Sequence, residues 1–116
     1  MINIDRLKME IKGVNITDEE IIIYLQENDL KDTDTYDPNS KTNLKNIYRT
    51  ALSILESIAN NPTGMKNYKT EDISIAHFQN NLMQRIDYLN RKIRLMPDDD
   101  DISSDGGATL EYMFKE

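Results

Sequence analysis

Residues 41–61, KTNLKNIYRTALSILESIANN, carry the most regular apolar spacing in the chain. Leu44, Ile47, Tyr48, Ala51, Leu52, Leu55, Ile58 and Ala59 recur at steps of three and four, which places them along one side of a helix. Asn43, Lys45, Asn46, Arg49, Thr50, Ser53 and Glu56 fall off that stripe and are expected on the solvent side. The flanks agree with a helix. Pro38 suits a first turn, because its fixed φ is already helical and its missing donor is not needed there. Asp37, Asn39 and Ser40 are candidate caps. Asn60-Asn61-Pro62-Thr63-Gly64 ends the segment, since a residue before proline is pushed out of the α region. The pattern predicts the central core helix of a small helical domain.

Working outward, Ile4, Leu7, Ile11 and Val14 predict a short amphipathic helix, with Asn3 or Asp5 at its start and Gly13 as terminator. In ITDEEIIIYLQEND (residues 16–29), Thr17 and Glu20 have the spacing of a capping box, and Ile16 with Ile21 that of a hydrophobic staple. Asp18, Glu19 and Glu20 face the positive end of the helix dipole. These signals favour a helix over a strand for Ile21-Ile22-Ile23-Tyr24, with Ile21, Ile22 and Leu25 buried. Residues 29–39, DLKDTDTYDPN, have no periodicity and read as a loop. Its four aspartates lack the EF-hand glycine and closing glutamate, so a solvated connection is expected rather than a calcium site.

Residues 63–70 form a second irregular stretch, with Met65 and Tyr68 as apolar groups available to a partner. Beyond it, Ser74 is a candidate cap, and Ile75, Phe78, Leu82, Ile86, Leu89 and Ile93 predict a second long helix. Its narrow, nearly heptad stripe suits packing on the first long helix. Met83 and Tyr88 lie to one side of it, leaving the helix a second surface to meet a neighbour. Pro97 stops it. Residues 98–116 then begin with four aspartates and end in a small apolar cluster that includes Leu110, Tyr112 and Phe114.

The expected fold is therefore all-α: a small bundle of two short N-terminal and two long amphipathic helices, with irregular loops. The helical domain spans 1–97, and 98–116 is expected to be a flexible acidic tail whose tip docks on a neighbour or does little. Of the net charge of −7, residues 1–97 hold 13 basic and 14 acidic side chains, and the tail holds seven acids and one lysine. A nearly neutral body argues against a broad basic face for duplex DNA. No cysteine is present, which excludes a disulfide framework and thiolate chemistry. No positively charged leader with an apolar run is visible, and no stretch approaches the roughly 20 apolar residues that cross a bilayer. A soluble intracellular protein is expected, with no membrane partner.

Little in the chain points to catalysis. His77 is the single histidine and has no local partner, so a structural role is expected. Glu19-Glu20, Glu71-Asp72 and Asp98 to Asp101 read as a cap, a turn and a solvated run. No phosphate-cradling glycine loop or metal-ligand spacing is present, so no catalytic residue, cofactor or metal is expected. Arg85, Arg91, Lys92 and Arg94 make the last helix basic at its end. The simpler reading is interaction with the helix dipole; the functional one is a patch for a phosphate backbone or for an acidic neighbour.

The front segment 16–29, the long helix and YKTEDISIAHFQNNLMQRIDYLNRKIRLM (residues 68–96) together resemble the head–tail connector (adaptor, head completion) family of tailed bacteriophages. Asp72-Ile73-Ser74-Ile75 looks like that family's polar lead-in to its last helix. The family often has glycine where this chain has Glu71, and the aspartate run has no counterpart in it. The resemblance implies a structural subunit rather than an enzyme, assembled in the host cytoplasm and placed in the virion at the head–tail interface. It implies a typically dodecameric ring beneath the portal protein that offers a docking surface to a tail or stopper protein. Genomic DNA would pass through the ring without sequence-specific binding. The alternative from another class is a small helical regulatory or adaptor protein that grips a partner protein. A nucleic-acid binder acting through the last helix is a third reading.

Overall fold

The computed structural model describes residues 1–97. Four helices form along them, α1 (Asn3–Glu10), α2 (Asp18–Glu27), α3 (Lys41–Ala59) and α4 (Ile75–Leu95), with one 3₁₀ turn at Met65–Asn67. The expected all-α class holds. The expected acidic segment 98–116, with Leu110, Tyr112 and Phe114, lies outside the described residues.

α3 is the element on which the other three meet, since α1, α2 and α4 each pack against it. That explains why its buried surface is wider than one stripe. Ile47, Ala51 and Ile54 are fully buried, and Tyr48, Leu55 and Ile58 nearly so. Thr50 and Lys45, expected on the solvent side, are buried as well. From Thr50 round to Lys45 the covered arc takes in more than half of the helix circumference. Thr50 tolerates this because its hydroxyl donates to the Asn46 carbonyl at 2.7 Å, one turn back. Lys45 can cover apolar neighbours with its long aliphatic stem.

Helix starts follow the short polar side chains. The Thr17 hydroxyl accepts from the Glu20 amide, that of Ser40 from the Asn43 amide, and that of Ser74 from the His77 amide. Pro38 does not open α3. It occupies the second position of a turn that the Ser40 amide closes on the Asp37 carbonyl at 3.1 Å. The capping box of α2 is half formed, with the Thr17 hydroxyl donating to Glu20 Oε1 at 3.3 Å. α2 ends in a Schellman arrangement: the Leu30 amide donates to the Leu25 carbonyl and the Asp29 amide to that of Gln26. Asp29 takes the left-handed position, φ 65°. Gly13, at φ 90°, turns the chain after α1.

α1 starts differently. Its cap is Ile2, which offers no side-chain acceptor. The free amides of Asn3 and Ile4 donate instead to the carbonyls of Asp34 and Asp32, at 2.9 and 3.1 Å. The Tyr36 amide donates to the Met1 carbonyl, at 2.9 Å. Residues 29–39 are thus tied to the N-terminus rather than standing as a solvated connection. Asn3, expected as a cap, is buried within this tie: its Nδ2 donates to the Lys31 carbonyl at 2.8 Å, and its Oδ1 accepts from Asn43 Nδ2 at 3.1 Å.

α4 lies along α3 through Phe78, Leu82 and Leu89, with Ile86 and Ile93 half-buried. Ile75, at its first position, is exposed, and Ile73 just before the helix packs on the core instead. Residues 63–70 are likewise part of the fold. The Asn15 amide donates to the Tyr68 carbonyl at 2.7 Å, and Met65 is buried.

Replacing Asn3 with Ala leaves the Lys31 carbonyl and Asn43 Nδ2 without that partner in a partly buried setting. A loss of about 2 kcal/mol in urea unfolding is expected. Amide exchange at Asn3, Ile4 and Tyr36 should accelerate more than exchange in α4. Equal acceleration everywhere would show that the tie does not act locally.

Candidate interaction surface

α4 exposes what the seam with α3 leaves over. Phe78, Leu82 and Leu89 point one way. Met83, 55% exposed, and Tyr88, 39% exposed, lie on opposite flanks, because five residues rotate the helix by about 140°. Leu95, 84% exposed, falls on the Tyr88 side, seven residues on. The sequence reading put Met83 and Tyr88 on one side; the helical rotation separates them. α4 therefore has two unlike apolar flanks rather than one spare surface.

The Tyr88 flank is joined to the rest of the molecule by a closed circuit of charges and rings. The Arg6 guanidinium lies 5.9 Å from the centre of the Tyr48 ring. Lys92 Nζ lies 5.6 Å from that ring and 5.7 Å from the ring of Tyr88. The Arg85 guanidinium is 4.9 Å from Tyr88 and pairs with Glu10 Oε1. Glu10 Oε2 accepts from Arg6 at 2.8 Å, one helical turn away, which closes the circuit. Tyr36 also stands under Arg6, at 5.5 Å. Cations over ring faces gain most when water is kept away. Arg6 meets that condition, its side chain being only 14% exposed, and its partner Glu10 is 13% exposed.

The protonation states follow from these contacts. Burial works against the Arg6 charge, and the hydrogen bond and charge of Glu10 outweigh it, raising its pKa. The Tyr88 hydroxyl and then the neighbouring rings raise the pKa of Lys92. Both shifts favour the charged forms of Arg6 and Lys92.

Of the basic residues expected to form one patch, the structure brings Arg85 and Lys92 into this circuit. Arg91 sits 3.6 Å from Asp87 on the open side, with both side chains well exposed, a geometry worth little in water. Arg94 is exposed. Between Tyr88, Arg91, Lys92, Leu95 and Met96 lies an open, mainly apolar groove of about 450 Å³. On the other flank, Met83, Ala76, Gln79, Leu82, Ala59 and Met65 border a smaller hollow of about 300 Å³.

The loop residues expected to meet a partner are placed otherwise. Met65 is 2% exposed and packs in the core, so little of it is left for a partner. Tyr68 is half-buried, and its hydroxyl donates to Glu20 Oε2 at 3.0 Å. That bond, then burial, raises the Tyr68 pKa. Arg6, Glu10 and Tyr36 are not singled out by sequence, and Tyr48 only as a member of the apolar stripe. The only signal in reach was the i,i+4 spacing of Arg6 and Glu10.

Among the described residues no cluster of His, Asp or Glu can hold a metal ion, the aspartates of residues 29–39 included. No helix among them is long and apolar enough to cross a membrane. Comparison of the chain with known protein families, with characterised proteins and with solved structures finds no match in any of the three.

Two outcomes test this geometry. Glu10→Gln keeps the shape but removes the charge shared by two arginines, and should cost roughly 2 kcal/mol in urea unfolding with an unchanged m-value. A loss below about 0.5 kcal/mol would show that the circuit does not hold α1 to α4. Tyr68 is favoured protonated in the folded chain, so its contribution is complete below the unfolded tyrosine value of 10.0 and fades as pH climbs through the raised folded value. Tyr68→Phe should therefore lose about 1 kcal/mol at pH 7, and its stability should fall less steeply above pH 10 than that of the parent. Identical slopes for the two proteins would contradict the Glu20 bond.

Proposed function

We propose that the chain is a structural subunit of the head–tail connector of a tailed phage or prophage, building a ring beneath the portal. In this reading the ring extends the DNA channel and gives the tail or stopper protein a surface to dock on. The protein joins surfaces and performs no catalysis. Its place is the head–tail interface of the virion, reached after assembly in the host cytoplasm.

The observation that carries the proposal is the pair of unlike apolar flanks on α4, Met83 on one side and Tyr88 with Leu95 on the other. A subunit in a closed ring touches one neighbour with one surface and the next neighbour with a different one. A protein that grips a single partner needs only one such surface. Each flank exposes few large side chains, so one pairwise contact is weak. A preformed multivalent platform converts the later contacts into intramolecular ones and makes the ring favourable as a whole. The resemblance of residues 16–29, 43–61 and 68–96 to connector subunits supplies the identity of that platform, the portal.

Sizing by light scattering separates the readings. The free chain is expected to run as a monomer across micromolar concentrations and to form rings on the portal encoded in the same genome. Met83→Glu and Leu95→Glu should each abolish ring formation without lowering the helical circular dichroism signal. If the chain associates with no portal, or if only one of the two flanks matters, the ring reading fails and a one-sided adaptor remains.

A further inference from the structure

We propose that the groove at the end of α4 is occupied by the chain's own C-terminal segment, residues 98–116, folded back within the same molecule. The segment covers the Tyr88–Leu95 flank in the free chain, so the ring reading requires it to leave when a neighbour docks there.

The groove and the segment are complementary in kind. Leu95, Tyr88 and Met96 give the groove an apolar floor, and Arg91 and Lys92 border it, with Arg94 close by in sequence. The segment carries seven acids and one lysine, and near its end Leu110, Tyr112, Met113 and Phe114. Its acids suit the basic rim, and its aromatic tip suits the floor.

Position argues for the same molecule rather than a second copy. Met96 is itself a wall of the groove, so the segment leaves the fold at the site it would fill. Residues 98–109 separate that exit from the apolar tip. A polar linker of that length spans roughly 20 Å on average. From Tyr88 to Met96 the helix rises only about 12 Å. The tip therefore reaches the whole groove, and short tethering gives it an effective concentration on the order of millimolar. A second copy reaches that level only in concentrated solution. Attraction between the acids and the rim lies within a Debye length and weakens with salt.

The chain has no cysteine, so one can be placed at will. A nitroxide on Glu116→Cys in the full-length, nitrogen-15-labelled protein should remove more than half of the amide signal intensity over residues 88–96 and leave α2 unaffected. Replacing Leu110, Tyr112 and Phe114 together with Ser should restore that intensity at least twofold, as should Arg91→Glu combined with Arg94→Glu. Equal signal loss in parent and Ser variant would mean simple tethering without docking and would overturn the proposal. So would no loss at all. Signal loss seen only when spin-labelled, nitrogen-14 chains are mixed with label-free, nitrogen-15 chains would assign the groove to a second copy, which also overturns it.

Discussion

The constraint on which this fold depends is that one helix has to serve three others. α3 receives α1, α2 and α4, so it buries more than half of its circumference, and an ordinary amphipathic stripe is too narrow for that. The sequence meets the demand by widening the stripe with residues that are not simply apolar. Thr50 turns its hydroxyl back to the Asn46 carbonyl, and Lys45 is buried although its side chain carries a charge at its end. A buried hydroxyl left without a partner would cost about 1–3 kcal/mol, more than the roughly 0.8 kcal/mol that one buried methylene contributes. The bond to Asn46 is therefore what makes a three-sided helix affordable with this sequence.

The remaining elements differ in how firmly they are held. α1 is fastened at both ends: the carbonyls of Asp32 and Asp34 take the amides of its first turn, and Glu10 in its last turn holds Arg85 of α4. α4 is held along one side by the α3 seam and at one flank by Glu10 and the Tyr48 ring. Its far side touches nothing among the described residues. Exposed apolar side chains are ordinary when scattered singly. On α4 they fall on two sides of a helix that is already fixed, and a partner meeting them incurs little ordering cost in this helix.

What the sequence makes legible is the local and the periodic. Thr17, Ser40 and Ser74 announce helix starts because a cap acts within three residues, and Ile47, Tyr48, Ala51 and Leu55 announce a buried face because a helix repeats every 3.6. Ile54 and Thr50 escape that reading, since the width of a buried arc depends on how many partners a helix has, and no local pattern records this. Asn3 is misread for a related reason: a polar residue at a helix start looks like a cap unless residues 31 and 43 are known to stand beside it. The charge circuit is less legible still. Glu10 and Arg85 lie 75 positions apart, and Lys92 and Tyr48 meet only because α4 runs along α3. Met65 shows the opposite error, an irregular stretch taken for surface although its side chain plugs the core.

The circuit also changes what the basic end of α4 can do. Counted in the sequence, Arg85, Arg91, Lys92 and Arg94 are four positive charges close together, enough to make a phosphate backbone a natural partner. In the fold, Arg85 is neutralised by Glu10, Arg91 has Asp87 nearby, and Lys92 is spread over two tyrosine rings. Affinity for duplex DNA rises with the number of phosphates neutralised, and each contact needs a cation not already committed. The charge left over is too small for that, and it stands beside apolar surface at Leu95 and Tyr88 that phosphate would not cover. A mixed surface of this sort favours a protein segment that is apolar at one end and acidic along the rest.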